Sequence, residues 1–120
     1  MEEKTPSVVL VVDDDPLILF MAVYSLQADD FVVLGASATD EALSLLDTHD
    51  IGVLVTDLNL AGSMDGIDLA RCVQQRVPQA HIIVSSGDDP SASLARRGSI
   101  AFLQKPYRSH QLTSAVRGRK

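Results

Sequence analysis

The stretch Ile51-Gly-Val-Leu-Val-Thr-Asp57 sets the architecture. Six residues, four of them aliphatic, run directly into a carboxylate. An apolar run of this length without polar alternation is the pattern of a strand buried on both faces, as in a parallel sheet. An Asp closing such a strand would sit at the carboxyl edge of the sheet, where open α/β folds bind ligands. Taken alone it is also an ordinary turn or cap residue. The reading gains force only if other strands deliver matching groups to the same edge.

Working outward, Val8 to Val12 is an aliphatic strand followed by Asp13-Asp-Asp-Pro16. Asp15 can cap a helix and Pro16 can occupy its first position, where no N–H is needed. Leu17, Phe20, Met21 and Tyr24 then fall on one helical face, the pattern of a stripe turned to the core. Asp29-Asp30 end that helix, and Phe31 to Ala36 is a second strand. Thr39 is a candidate N-cap, with Asp40 and Glu41 in the first turn and Ala42, Leu45 and Leu46 as packing stripe. Leu58 to Asp65 is a loop, flexible around Ala61-Gly62-Ser63. Gly66 to Val77 is a third helix, stopped before Pro78, with Leu69, Ala70, Val73 and Val77 inward. His81 to Ser85 is the fourth strand. Pro90 to Arg97 is at most a short helix. Ile100 to Leu103 is the fifth strand, ended by Lys105-Pro106, and Ser109 can cap a last helix with Leu112, Ala115 and Val116 inward.

Strands alternating with helices imply a parallel sheet with right-handed crossovers and helices on both faces. Five such units suit a doubly wound, flavodoxin-like α/β sheet of order 2-1-3-4-5 with its crevice between strands one and three. The expected fourth helix is shortened. A length of 120 residues and a 46% hydrophobic content suit one domain over residues 1–120. No apolar run reaches the ~18 residues of a spanning helix, and Met1-Glu-Glu-Lys-Thr-Pro6 is unlike a signal peptide. Cys72 is the single cysteine, so a reducing cytoplasm is the expected location. A formal net charge of −6 argues against a sequence-independent grip on nucleic acid.

In this topology four strands end in polar groups on one edge: Asp13 and Asp14, Asp57, Ser86, and Lys105. Three carboxylates brought together repel one another and call for a cation. A few oxygen ligands suit Mg²⁺ with waters completing its shell. A lysine and a hydroxyl beside Mg²⁺ describe a phosphoryl-binding pocket, and a carboxylate between them can accept a phosphoryl group covalently. Each residue also has an ordinary role: Asp13 and Asp14 as caps, Ser86 in a turn, Lys105 at the surface. The ordered coincidence of all of them favours the pocket.

Val11-Val-Asp13-Asp14-Asp-Pro16, Asp57-Leu-Asn59, Met64-Asp-Gly66, Ser85-Ser86-Gly87 and Phe102-Leu-Gln-Lys105-Pro106-Tyr107 together resemble the receiver domain of two-component response regulators, from about Val8 to Tyr107. The resemblance implies that Asp57 is the phosphoacceptor, served by a histidine kinase or a histidine phosphotransfer protein. It implies that Asp14 binds Mg²⁺ directly, Asp13 mainly through water, and Asn59 through its backbone carbonyl. Lys105 would contact a phosphoryl oxygen and the Asp57 carboxylate. Ser86 would close onto the phosphoryl group, with Phe102 as the switch aromatic that turns inward as Ser86 moves. Asn59 and Asp88, each two residues past a site residue, are candidates for tuning the phosphoryl lifetime.

The sequence departs from the family in its loop after Asp57, which lacks the usual proline, and in a Ser86 to Lys105 interval about three residues short. The shortened fourth helix puts the usual dimer face in question, while a homodimer stays among the assemblies allowed. The expectation is a stand-alone receiver that switches contacts with an output protein, not an enzyme in the usual sense. The alternatives are a degenerate receiver used for docking, or a receiver excised from a larger hybrid protein. An aspartate-nucleophile phosphatase would need a second catalytic Asp where Asn59 stands. A flavodoxin-type cofactor binder is disfavoured because Asp13-Asp-Asp-Pro16 would repel a bare phosphate.

Overall fold

A computed structural model describes residues 8–60, 64–87 and 100–118. Five strands form one sheet: β1 (Val8–Val12), β2 (Val32–Ala36), β3 (Ile51–Asp57), β4 (His81–Ser86) and β5 (Ile100–Gln104). All neighbours run parallel, in the order β2-β1-β3-β4-β5. The four described helices are α1 (Pro16–Ala28), α2 (Thr39–Thr48), α3 (Gly66–Arg76) and α4 (Ser109–Arg117). The doubly wound fold expected from the sequence is the one observed.

The period-2 alternation of strand side chains divides the core in two. Leu10, Val12, Leu54, Ile82 and Val84 point to one face and pack with Ala42 and Leu46 of α2 and Leu69, Ala70 and Val73 of α3. Val9, Val11, Val53, Val55 and Ile83 point to the other and meet Ala22 and Leu26 of α1 and Leu112 and Val116 of α4. Residue by residue β3 is buried on both faces, apart from half-buried Gly52, and this explains its unbroken aliphatic run. Each fully buried Leu or Ile in these layers contributes about 1.5–3 kcal/mol.

Several local expectations need correction. The stripe Leu17, Phe20, Met21 and Tyr24 faces solvent, at 67%, 64%, 52% and 63% exposure, whereas Ala22 and Leu26 face the sheet. Thr39 is not the N-cap of α2. Its side chain is fully buried, Ala38 holds the cap position, and Glu41 Oε1 accepts from the Ser37 N–H instead. Ser109 likewise lies inside α4: Arg108 is the N-cap, its N–H donates to Gln111 Oε1, and the Ser109 hydroxyl bonds that of Ser25 on α1. Asp15 does cap α1, accepting from the N–H groups of Leu17 and Ile18. The short helix expected over Pro90–Arg97 and the loop tip Ala61-Gly62-Ser63 lie outside the described residues.

Candidate functional site

Backbone hydrogen bonds carry the ladder one residue past the strand ends and so fix the carboxyl edge. Asp13 N–H donates to Ala36 O at 3.1 Å, Leu58 N–H to Ser85 O at 2.7 Å, and Lys105 N–H to Ser86 O at 2.8 Å. Asp13 therefore leaves β1 next to the point where Asp57 ends β3, the two strands flanking the crevice of a 2-1-3-4-5 sheet. Ligand oxygens of Asp13, Asp14 and Asp57 all lie within 4.8 Å of one another. Asp13 and Asp57 are buried and Asp14 is exposed, so the cluster opens to solvent on the Asp14 side.

Lys105 reaches this cluster from the edge strand β5. Its Nζ donates to Asp13 Oδ2 at 2.8 Å and lies 3.4 Å from Asp57 Oδ1. Asp13 is thus engaged on both oxygens, because Oδ1 accepts from the Asp15 N–H at 2.9 Å. Burial raises the Asp57 carboxyl above the ordinary 3.8; Lys105 and the Asn59 N–H pull it down, while the Asp13 charge adds to the rise. Burial works against the Lys105 ammonium, yet the hydrogen bond and charge of Asp13, with those of Asp57, outweigh it and hold its pKa above 10.5. One lysine between two buried carboxylates leaves the pocket short of positive charge.

Ser86 ends β4 and is fully buried. Phe102 pairs with Val84 in the β4–β5 ladder and is half-buried against the core face shared by α2 and α3. Asn59 is exposed on the loop after β3, and its backbone N–H bonds the Asp57 carboxylate. Asp88 lies outside the described residues.

The structure gives three features to which the sequence reading assigned no role. Tyr107 is mostly buried, and burial with the charges of Asp13 and Asp57 pushes its phenol up to about 12. Gly66 lies against the backbone of the phosphoacceptor candidate: a Cβ there would stand 2.0 Å from Asp57 O. A cavity of about 590 Å³ lies between α1 and the Lys105-Pro106-Tyr107 segment, lined also by Leu17, Ile18 and Met21. The Gly after Asp65 was the one available signal, since it suits a close backbone approach.

The family model described as the response regulator receiver domain matches residues 9–117. The chain belongs to the response regulator receiver domain family. This receiver is 32% identical over 113 residues to the positive alginate biosynthesis regulatory protein of Pseudomonas aeruginosa, covering 91% of this chain and 45% of that protein. It is 32% identical over 122 residues to the nitrate/nitrite response regulator protein NarP of Escherichia coli, covering 98% and 56%. The receiver thus spans about half the length of these two curated relatives. Among solved structures, a response regulator receiver protein from Pseudomonas putida superposes with a TM-score of 0.84 at 28% identity, covering 98% of this chain and 100% of that one. A receiver protein from Sinorhizobium medicae gives 0.84 at 28%, covering 93% and 92%.

Proposed function

We propose that this receiver is a phosphorylation-driven switch in which Asp57 accepts a phosphoryl group from a phosphohistidine of a kinase or phosphotransfer protein. The convergence of Asp13, Asp14, Asp57 and Lys105 at one sheet edge carries this reading. An Asp57 oxygen forms a bond to phosphorus, the phosphorus–nitrogen bond breaks, and the electron pair returns to the imidazole, which takes up a proton. Asp57 is a substrate in this step, and the receiver assists without turning over as an enzyme.

The donor set fits Mg²⁺: carboxylate oxygens only, close together, two of them buried and one open to solvent. Asp13, Asp14, Asp57 and the Asn59 carbonyl would hold it, and it would supply positive charge for the incoming phosphoryl oxygens. Lys105 then exchanges its Asp13 contact for a phosphoryl oxygen, Ser86 donates its hydroxyl to another, and Phe102 follows Ser86 inward. The changed surface is read by an output protein. Asn59 and Asp88, each two residues past a site residue in the sequence, tune the lifetime of the acyl phosphate in this reading. Membrane insertion and nucleic-acid contact form no part of the reading. Among the described residues no helix is long and apolar enough to cross a membrane.

Intact mass after incubation with acetyl phosphate and Mg²⁺ tests it. The expected result is one added phosphoryl group, dependent on Mg²⁺ and absent from Asp57→Asn. Labelling that persists in Asp57→Asn would overturn the assignment of the acceptor. Absence of both labelling and Mg²⁺ binding would favour a docking module.

A further inference from the structure

Strand β3 is aliphatic and buried from Val53 to Val55, and Thr56 continues the run with a hydroxyl. Thr56 is fully buried, in register with Val12 on β1 and Val84 on β4. A valine would fill the same space and bring no polar group to be satisfied. The Thr56 hydroxyl donates to the Asp57 carbonyl oxygen at 3.0 Å. That carbonyl and the Leu58 N–H belong to one peptide group, and the Leu58 N–H donates to Ser85 O on β4 at 2.7 Å. The peptide that follows Asp57 is therefore held at both ends. The next one is held likewise: Leu58 O accepts from the Gly66 N–H at 2.9 Å, and the Asn59 N–H bonds the Asp57 carboxylate. Among these four bonds, Thr56 supplies the one side chain that is not Asp57 itself.

We infer that Thr56 is a positioning residue for phosphoryl transfer, its hydroxyl fixing the Asp57–Leu58 peptide and through it the Asp57 carboxylate and the Asn59 backbone. The inference rests on Asp57 being the phosphoacceptor, and Thr56 touches no reacting atom. Peptide groups are rigid, so the path from the Asp57 side chain to Leu58 turns on one soft torsion, ψ of Asp57. A carbonyl pinned by Thr56 fixes that torsion. Carbon meets a carbonyl oxygen at ~3.3–3.6 Å. A methyl in place of the hydroxyl, 3.0 Å away, crowds the oxygen as well as leaving it without its donor. Gly66 confines the same oxygen, since a Cβ at that position would stand 2.0 Å from it. The peptide turns, and the Asp57 carboxylate and the Asn59 carbonyl move with it.

Four variants test this: Thr56→Val, Thr56→Ala, Thr56→Ser and Ile82→Val. Ile82 packs on the core face shared by α2 and α3, near the end of β4 opposite Ser86, and serves as the control for lost stability. Three quantities are measured for each: the acetyl phosphate labelling rate by intact mass at saturating Mg²⁺, the Mg²⁺ Kd by titration calorimetry, and Tm. Thr56→Val and Thr56→Ala are expected to label about tenfold more slowly, as small displacements of a reacting group do, and to bind Mg²⁺ more weakly. Thr56→Ser keeps the hydroxyl and is expected to stay within about twofold of wild type in both. Ile82→Val is expected to lower Tm and move neither. Thr56→Ala, which leaves room at the carbonyl, carries the test if valine disturbs the fold. Wild-type labelling in the variants without the hydroxyl would overturn the inference. So would a slowing shared by Thr56→Ser, which assigns the effect to packing, or by Ile82→Val, which assigns it to stability. A wild type that takes no label removes the acceptor reading and the inference with it, whereas a labelled wild type beside an equally labelled Thr56→Val removes the inference alone.

Discussion

Tyr107 shows how far a single residue can depend on its neighbours. It follows Pro106 in a segment whose Lys105 carries the obvious chemistry, and nothing in Lys-Pro-Tyr announces burial. Burial, with the charges of Asp13 and Asp57 nearby, raises its phenol. Replacing Tyr24 with Phe leaves Tyr107 as the sole tyrosine. Its absorbance titration should then show a midpoint of about 12, moving down when Asp13 is also neutralised. A midpoint near the ordinary 10 would contradict the buried placement. The sign for stability follows: the unfolded phenol ionises near 10, so the contribution of Tyr107 is complete below that pH and is lost as the pH rises towards 12. Asp13, Asp57, Ser86 and Lys105 were legible because each sits at or next to the end of a strand that the sequence marks clearly. Tyr107 was not, because its environment is assembled from β1, β3 and α1 together.

Among the elements, the strands were the readable part. Their aliphatic runs admit one interpretation, and β3 begins and ends where its sequence indicates. Helix α1 was misread in its facing, because a helix apolar on two sides offers periodicity without phase. The caps of α2 and α4 shifted by one residue for another reason: Glu41 and Gln111 reach back to accept from the N–H groups of Ser37 and Arg108, ahead of Thr39 and Ser109. The junction of β3 with α3 is governed by Gly66, whose N–H donates to Leu58 O at 2.9 Å while its α-carbon faces Asp57 O. Backbone stands in the way of a side chain there, and backbone cannot rotate aside. Gly66→Ala should cost about 1–3 kcal/mol, as overpacking does. It should lower Tm by several degrees, roughly 3–8 °C for each kcal/mol in a domain of this size, and slow acetyl phosphate labelling by displacing Asp57. Calorimetry and the mass assay check the two effects separately, and an unchanged Tm would remove the steric account.

At the scale of the molecule, the site stands at odds with the fold that carries it. The raised pKa of Asp57 means that its stabilising contribution is present below 3.8 and lost as the pH rises through the folded value. At neutral pH its charge therefore counts against stability. Asp57→Asn should raise Tm at pH 7 without Mg²⁺ by an amount on the order of a few degrees, and the advantage should shrink in acid. Mg²⁺ should stabilise the wild type by about 2.7 kcal/mol at a hundred times its Kd. It should stabilise Asp57→Asn less. A variant no more stable than wild type at pH 7 would show that Lys105 compensates the buried charge in full. Helix α4 packs on the same face of the sheet as α1. Ser109 at its start borders the cavity beside Lys105, whereas near its end the Ala115 carbonyl accepts from His81 Nε2 at 2.8 Å and Arg117 pairs with Asp29. His81 opens β4, the strand that Ser86 closes. Strand and helix are thus two struts of one frame, pinned at the far corner, with Ser86 and the Lys105 cavity at the near one. A displacement at Ser109 would be carried along a rod about 13 Å long to the corner that His81 and Arg117 hold.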